Sequence, residues 1–253
     1  MRLPSRRAVT AFAGIGAALA SAISFAATNQ CSAVSGAAVP VVVELYTSEG
    51  CNSCPPADRW LSKAVAERKD GNFIALAYHV DYWDYIGWKD AFAQPAFAQR
   101  QAGLAKSGGA SGVYTPQIFV NGRDDRSWTR GASALSAKAA AATVKFSLMA
   151  NWGPDSVDFS GKLAEPSANV RLRYAVTENG LVTAVKAGEN KGETLRHDAV
   201  VRAHGPLTAD ASGAFTLDVR IPRTMQRRAS QLLVIAEDAA GKPLAAATIS
   251  CAE

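Results

Sequence analysis

The chain has 253 residues, 48% of them hydrophobic and 19% charged, with four cysteines and a formal net charge of +5. That balance allows a real core and excludes a charge-rich, disordered chain. Three of the positive charges belong to Arg2, Arg6 and Arg7, and no acid lies in residues 1–26, so the rest of the chain carries +2 and gives no electrostatic argument for nucleic acid as a partner.

Residues 1–26 read as an export signal. A basic start is followed by the Ala/Gly-rich apolar run Ala8 to Ala22, and Ala20-Ser21-Ala22 and Ser24-Phe25-Ala26 both offer small-residue cleavage sites. Ser5-Arg6-Arg7 resembles a twin-arginine motif, although Val9 and Thr10 stand where Phe and Leu are usual, so the twin-arginine and general secretory routes both stay open. No later run is apolar for ~18 residues, which predicts no further membrane contact after signal removal and a periplasmic or secreted protein. Residues 27–39 form an N-terminal extension.

Val41-Val42-Val43-Glu44-Leu45-Tyr46 predicts a strand, and Pro55-Pro56-Ala57-Asp58 opens a helix with Trp60, Leu61, Ala64 and Val65 on one face. Between them stands Cys51-Asn52-Ser53-Cys54. A cysteine at a helix start meets unpaired backbone N–H groups and the positive end of the helix dipole, and both favour the thiolate. Phe73-Ile74-Ala75-Leu76-Ala77-Tyr78-His79-Val80 is a nearly continuous apolar run, as in a strand buried on both faces. Strand, helix and strand at this spacing predict a right-handed βαβ unit, which brings His79 and Asp81 to the sheet edge that carries Cys51.

The segment Asp81 to Trp88 is dense in acids and aromatics, and Tyr82, Trp83, Tyr85 and Trp88 are candidates to line a groove or to cap the core. A helical stretch follows from Phe92 to Lys106. Val113 to Gly122 reads as a turn, a short strand and an Asn-Gly hairpin signal, with Arg126-Ser127-Trp128 as the return strand and Ala132 to Ala142 as an alanine-rich helix. After residue 142 the pattern changes to about eight short alternating strands, among them Val144 to Leu148, Val157 to Gly161 and Val170 to Tyr174. Glu178-Asn179-Gly180 suits a hairpin turn into Leu181 to Val185. The rest predicts a β-rich, sandwich-like C-terminal domain over 143–253.

The order over 40–142 is β-α-β-α-β-β-α, the thioredoxin fold. A CxxC between first strand and first helix, and Thr115-Pro116 just before the third strand, resemble the two signatures of that superfamily. The resemblance implies a cis bond at Pro116 and an open strand edge at Thr115 for an incoming peptide. More closely, four stretches resemble an exported bacterial family, domain-of-unknown-function family 1223. They are Leu45-Tyr46-Thr47-Ser48-Glu49-Gly50-Cys51 with Cys54-Pro55-Pro56-Ala57-Asp58, His79-Val80-Asp81-Tyr82-Trp83-Asp84 with Gly87-Trp88-Lys89-Asp90, Tyr114-Thr115-Pro116-Gln117, and Gly188-Glu189-Asn190 with Leu195-Arg196-His197-Asp198. That family carries no established activity.

The chemistry expected is thiol–disulfide exchange, with Cys51 as attacking thiolate and Cys54 as resolving thiol. Asp81 or Glu49 is expected to move the proton of Cys54, and Thr115, Pro116, His79, Asp81 and Trp83 to meet the substrate. A rival reading groups Cys51, Cys54 and His79 as a soft ligand set for Cu(I) or zinc. A third is a peptide-binding module that keeps the disulfide as scaffold. Cys31 and Cys251 remain as a structural pair, closing a loop of about 220 residues for roughly 5 kcal/mol in the chain-entropy model, although four cysteines permit three pairings and Cys31 could instead carry a lipid. His197 and His204 receive no role, except that His197 could meet the site across a domain interface. No GxGxxG follows a strand, so no nucleotide or flavin cofactor is expected. The partners expected are protein thiols or disulfides, or a peptide segment.

Overall fold

The computed structural model describes residues 30–67, 72–130 and 140–250. The signal segment, most of the helix expected from Ala132, and Cys251 lie outside these residues.

The first half builds the expected βαβ unit. Strands β1 (Gln30–Val34) and β2 (Val41–Thr47) precede helix α1 (Pro55–Glu67), and β3 (Phe73–His79) then pairs parallel to β2 from Val41↔Phe73 to Thr47↔His79. Every residue of β2 is buried, as its unbroken run of β-branched and aromatic side chains requires. Its side chains alternate: Val41, Val43 and Leu45 face α1 with Ala57 and Leu61, while Val42 and Tyr46 face the opposite core with Phe97 and Leu104 of α2 (Pro95–Ser107). Strand β4 (Gln117–Val120) pairs antiparallel to β2 on its other side. It turns through Asn121 (φ 50°) and Gly122 (φ 81°) into β5 (Arg123–Asp124), the two positive φ values that a two-residue Asn-Gly turn needs. The return strand is therefore two residues long and begins at once; Arg126 and Ser127 lie in a turn and Trp128–Arg130 in a 3-10 turn, because Asp125 caps the N–H of Ser127 and bends the chain away.

The second half corrects the expected fold class. Strands β6 (Phe146–Trp152), β7 (Ser156–Leu163), β8 (Arg171–Glu178), β9 (Leu181–Ala184), β10 (Thr194–His197), β11 (Val200–Leu207), β12 (Ala214–Arg220), β13 (Ser230–Glu237) and β14 (Pro243–Ile249) follow. Four of them extend the first sheet, whose order is β14-β13-β8-β11-β3-β2-β4-β5. The chain is thus not a thioredoxin-like α/β unit with alternating helices: among the described residues, two α-helices stand against fourteen strands. Residues 140–142 also depart from the helix expected there, since Ala141 bridges Ala38 as extended chain.

The physical reason lies at β3. Its edge accepts β11 in parallel through Val200↔Ala77, so the later strands continue a mixed sheet instead of closing a separate sandwich. A sandwich does form, but it shares that sheet. β1, β6, β7 and β12 make a four-stranded sheet, and its inward side chains, Leu148, Trp152, Phe159 and Phe215, pack on Leu172, Val176, Leu232 and Val234 of β8 and β13. The turn at Asn179-Gly180 is present, yet β9 does not return along β8; it pairs with β10 in a two-stranded ribbon of its own.

A buried ion network ties the two halves together on the α2 face. Glu44 of β2 accepts both Nε and Nη2 of Arg100 at 2.7 Å and Nη2 of Arg173 of β8 at 2.8 Å, and Arg173 Nε reaches Glu237 of β13 at 2.6 Å. Burial works against the Glu44 charge, but the two guanidinium groups overcome it and lower its pKa from 4.5 to about 2.

Candidate functional site

Cys51 and Cys54 form a disulfide with Cα atoms 5.4 Å apart, and neither residue has exposed surface. Cys54 N–H bonds to the Cys51 carbonyl at 3.2 Å, and the N–H groups of Ala57 and Asp58 return to the Cys54 carbonyl at 2.9 and 3.2 Å, so the bridge runs straight into the first turn of α1. Thr115 Oγ1 donates to Cys51 Sγ at 3.3 Å, and Ser53 Oγ lies 3.3 Å from the same sulfur. The indole N–H of Trp83 donates to Thr115 Oγ1 at 2.7 Å. An indole nitrogen can only donate, so it takes a lone pair of the hydroxyl and leaves the hydroxyl proton for the sulfur. The Thr115–Pro116 peptide bond is cis, as the superfamily resemblance implied.

Beside this pair, at the ends of β2 and β3, lies a buried cluster of acids and imidazoles. His79 Nδ1 is 2.7 Å from Asp90 Oδ2, with neither side chain exposed. Asp90 also accepts the N–H groups of Glu49 and Phe92, each at 2.9 Å. His197 stands edge-on to His79 with ring centroids 4.9 Å apart, and its Nε2 is 3.4 Å from Glu49 Oε1. Trp88 Nε1 donates to Glu49 Oε2 at 2.8 Å. Burial disfavours the charged His79 ring, yet Asp90 beside it, by charge and hydrogen bond, keeps its pKa above the ordinary imidazole range. Burial would likewise raise Asp90, and His79 and the donated bonds bring it below the usual carboxylate range. Asp58, on the buried face of α1, is raised by desolvation, against the attraction of His197 and His79.

A turn from the second half of the chain closes over the CxxC loop. Asn190, 5% exposed, donates from Nδ2 to the carbonyls of Glu49 at 2.8 Å and Cys51 at 3.0 Å. Its neighbour Glu189 accepts the Asn52 N–H at 3.1 Å. Gly188, at φ +73°, lets the turn reach this position; a Cβ there would stand 3.1 Å from that of Trp88.

The expected residues are therefore distributed unevenly. Cys51, Thr115, Pro116 and Trp83 come together at one point. His79 is wholly buried, its Nδ1 engaged by Asp90. Among the described residues no group of three or more His, Cys, Asp or Glu side chains is arranged to hold a metal ion. Asp81 sits half-buried in the loop after β3, where its carbonyl accepts the Asp84 N–H. The acid one helical turn from Cys54 is instead Asp58, whose signal in the sequence is an acid four residues after the second cysteine on the helix's apolar face. Of the aromatics, Trp83 and Trp88 bond inward, whereas Tyr85 is 82% exposed. His197 does meet the site from the far half of the chain. His204 stacks edge-on to Tyr78 and Phe97, and burial with nearby Arg100 and Arg173 lowers its pKa to about 4. Cys31 is disulfide-bonded, and its expected partner lies outside the described residues.

The family described as "Protein of unknown function (DUF1223)" matches residues 42–237. Among solved structures, protein AGR_C_4864 of Agrobacterium tumefaciens is 26% identical with a TM-score of 0.53, over 85% of this chain and 96% of that one. HBP35 of Porphyromonas gingivalis, 17% identical with a TM-score of 0.58, aligns over 85% of this chain and 76% of that one, a likeness of fold alone. No curated protein matches.

Proposed function

The chain belongs to the DUF1223 family, whose description assigns no activity, and from its site we propose that it exchanges thiols and disulfides through Cys51 and Cys54. One observation carries this reading. The hydroxyls of Thr115 and Ser53 both address Cys51 Sγ, in a loop where the first helix residues, Pro55 and Pro56, offer no N–H and those of Ala57 and Asp58 are bonded to the Cys54 carbonyl. A scaffold disulfide needs no such donors, whereas a departing or attacking thiolate does.

The reaction follows from the arrangement. A thiolate of the partner attacks Cys51 Sγ, the Cys51–Cys54 bond breaks, and its electron pair leaves on Cys54, which takes a proton. A second partner thiolate then attacks the partner's sulfur in the mixed disulfide and expels Cys51 as thiolate. Net, two electrons and the protons of the thiols pass to the CxxC while the partner becomes a disulfide; the reverse sequence inserts disulfides. Asp58, kept above the ordinary carboxylate range by burial, is the acid we assign to the proton of Cys54. Since neither sulfur is exposed, the partner must displace part of the cover made by the 81–90 loop and the 188–190 turn.

We assign the activity to an exported protein. The basic and apolar start supports this, as does the absence of a free cysteine among the described residues. No helix among those residues is long and apolar enough to cross a membrane. Sequencing the N-terminus of the secreted protein tests this, and a start after Ala22 or Ala26 is expected.

Redox titration in glutathione buffers, with alkylation and mass spectrometry at Cys51 and Cys54, tests the exchange. A reversible transition with Cys51 alkylated first is the expected result. A pair still oxidised below about −300 mV is a structural disulfide and overturns the proposal.

A further inference from the structure

The Gly188-Glu189-Asn190 turn brings a carboxylate to the one place where it opposes the chemistry proposed above. Asn190 is buried and holds the carbonyls of both Glu49 and Cys51, while its own carbonyl accepts the Glu193 N–H at 3.0 Å. The two side-chain bonds fix the turn on the CxxC loop, and the carbonyl bond closes the turn on itself. Glu189, next in the chain, delivers its Oε2 to the backbone N–H of Asn52, between the two cysteines.

That N–H is the first backbone donor after Cys51, in the CxxC loop that precedes α1, whose own first two residues, Pro55 and Pro56, have no N–H to offer. A carboxylate placed there acts in two ways. It occupies the donor, and it sets a negative charge against the residue next to Cys51, whose sulfur must itself become negative when the disulfide opens. Both effects disfavour the reduced, thiolate form relative to the disulfide, in the opposite sense to Thr115 and Ser53. Such a balance sets a potential, because a pair whose reduced form is less stable is a weaker oxidant.

We infer that Glu189 is a positioning residue that sets the redox poise of the Cys51–Cys54 pair, holding it toward the disulfide through its charge on the Asn52 N–H. The inference rests on the exchange reading, and it assigns to the second half of the chain a control over the cysteines of the first. Glu189 is exposed to solvent, so its influence is screened by salt. Among the described residues its side chain bonds to the Asn52 N–H of the CxxC loop and it is exposed, so replacing it leaves the core intact.

The test is a glutathione titration of the full mature protein as wild type, Glu189→Gln and Glu189→Ala, each at low ionic strength and in 1 M NaCl. Glutamine keeps the acceptor and removes the charge. The expected result is a shift of the exchange constant toward the reduced form by about threefold in both variants, equivalent to about 14 mV for a two-electron couple. The shift disappears in 1 M salt, and the pH at which Cys51 becomes half-reactive toward iodoacetamide falls in parallel. Unchanged constants in a reversible pair overturn the inference alone. So does a shift in Glu189→Ala that Glu189→Gln does not share, which makes the hydrogen bond and not the charge the active element. A pair that resists reduction in all three proteins overturns the exchange reading and this inference with it.

Discussion

His79 and His197, one from the end of β3 and one from the β9–β10 ribbon, stand edge-on with ring centroids 4.9 Å apart, and both are buried. The contact joins the two halves of the chain just behind the disulfide. It also means that the acids around them, Glu49, Asp58 and Asp90, lie where an unpaired charge is costly.

Replacing His79 by Ala leaves the Asp90 carboxylate buried without its imidazole. A loss of about 3–5 kcal/mol in urea unfolding is expected. Asp90→Asn in the same background should recover part of it by removing the stranded charge. The pH dependence follows from the two shifts. The raised His79 gives stability that is present below the ordinary imidazole pKa and lost as pH rises through its own. The lowered Asp90 gives stability that is present above the ordinary carboxylate pKa and lost as pH falls through its own. Wild type should thus have a stability plateau between those limits that His79→Ala lacks.

The Trp83–Thr115–Cys51 chain predicts an ordered effect on the thiolate. Thr115→Val removes the donor, and the Cys51 thiol pKa should rise by about one unit, the order expected for a lost charge-assisted bond. Trp83→Phe leaves the hydroxyl but frees its orientation, so a smaller rise in the same direction is expected. Alkylation rate against pH in the reduced protein measures both. Equal values in wild type and Thr115→Val would remove Thr115 from the site.

Acid should unfold the protein through Glu44 and His204. The Glu44 pKa, lowered from 4.5 to about 2, gives stability that is present above 4.5 and lost as pH falls toward 2, about 3 kcal/mol in all. The lowered His204 gives stability that is present above 6.5 and lost as pH falls toward 4. His204→Phe keeps an aromatic ring against Tyr78 and Phe97 and should flatten the stability profile between pH 6.5 and 4, while leaving the steeper loss below 4.5. Melting temperatures across pH 3–8 separate the two.

Gly122→Ala tests the β4–β5 turn. At φ +81° a Cβ would stand 2.7 Å from the backbone carbonyl oxygen of Gly241, so strain and collision act together. A loss above about 1 kcal/mol in urea unfolding is expected. A neutral result would mean that the loop carrying Gly241 moves freely away.

Much of the first half was legible because its signals are local. The unbroken apolar runs of β2 and β3, the Pro55-Pro56 helix start and the Asn121-Gly122 turn each depend on neighbours in sequence, and each element formed where it was read. The pairing of later strands was not legible. Alternation identified β6, β7 and β8, but the same alternation serves a separate sandwich or a continuation of the first sheet. β1 and β10 gave no strong pattern at all; they are short, and each is held by its partner strand.

At the site, the chemistry on offer is legible in the chain alone: two cysteines with two residues between them ahead of a helix, a Thr-Pro, and an indole. What it left open is which polar groups meet. Asp58 reads as a helix-start acid, His79 as a strand end, and Glu189 and Asn190 only as part of a stretch that resembles the family. Only the tertiary structure decided that Asp58 and His79 are buried with Asp90 and His197, and that the 188–190 turn closes on the CxxC loop. Burial and charge proximity arise between segments far apart in the chain, and a linear pattern carries no information about those distances until the sheet has brought the segments together.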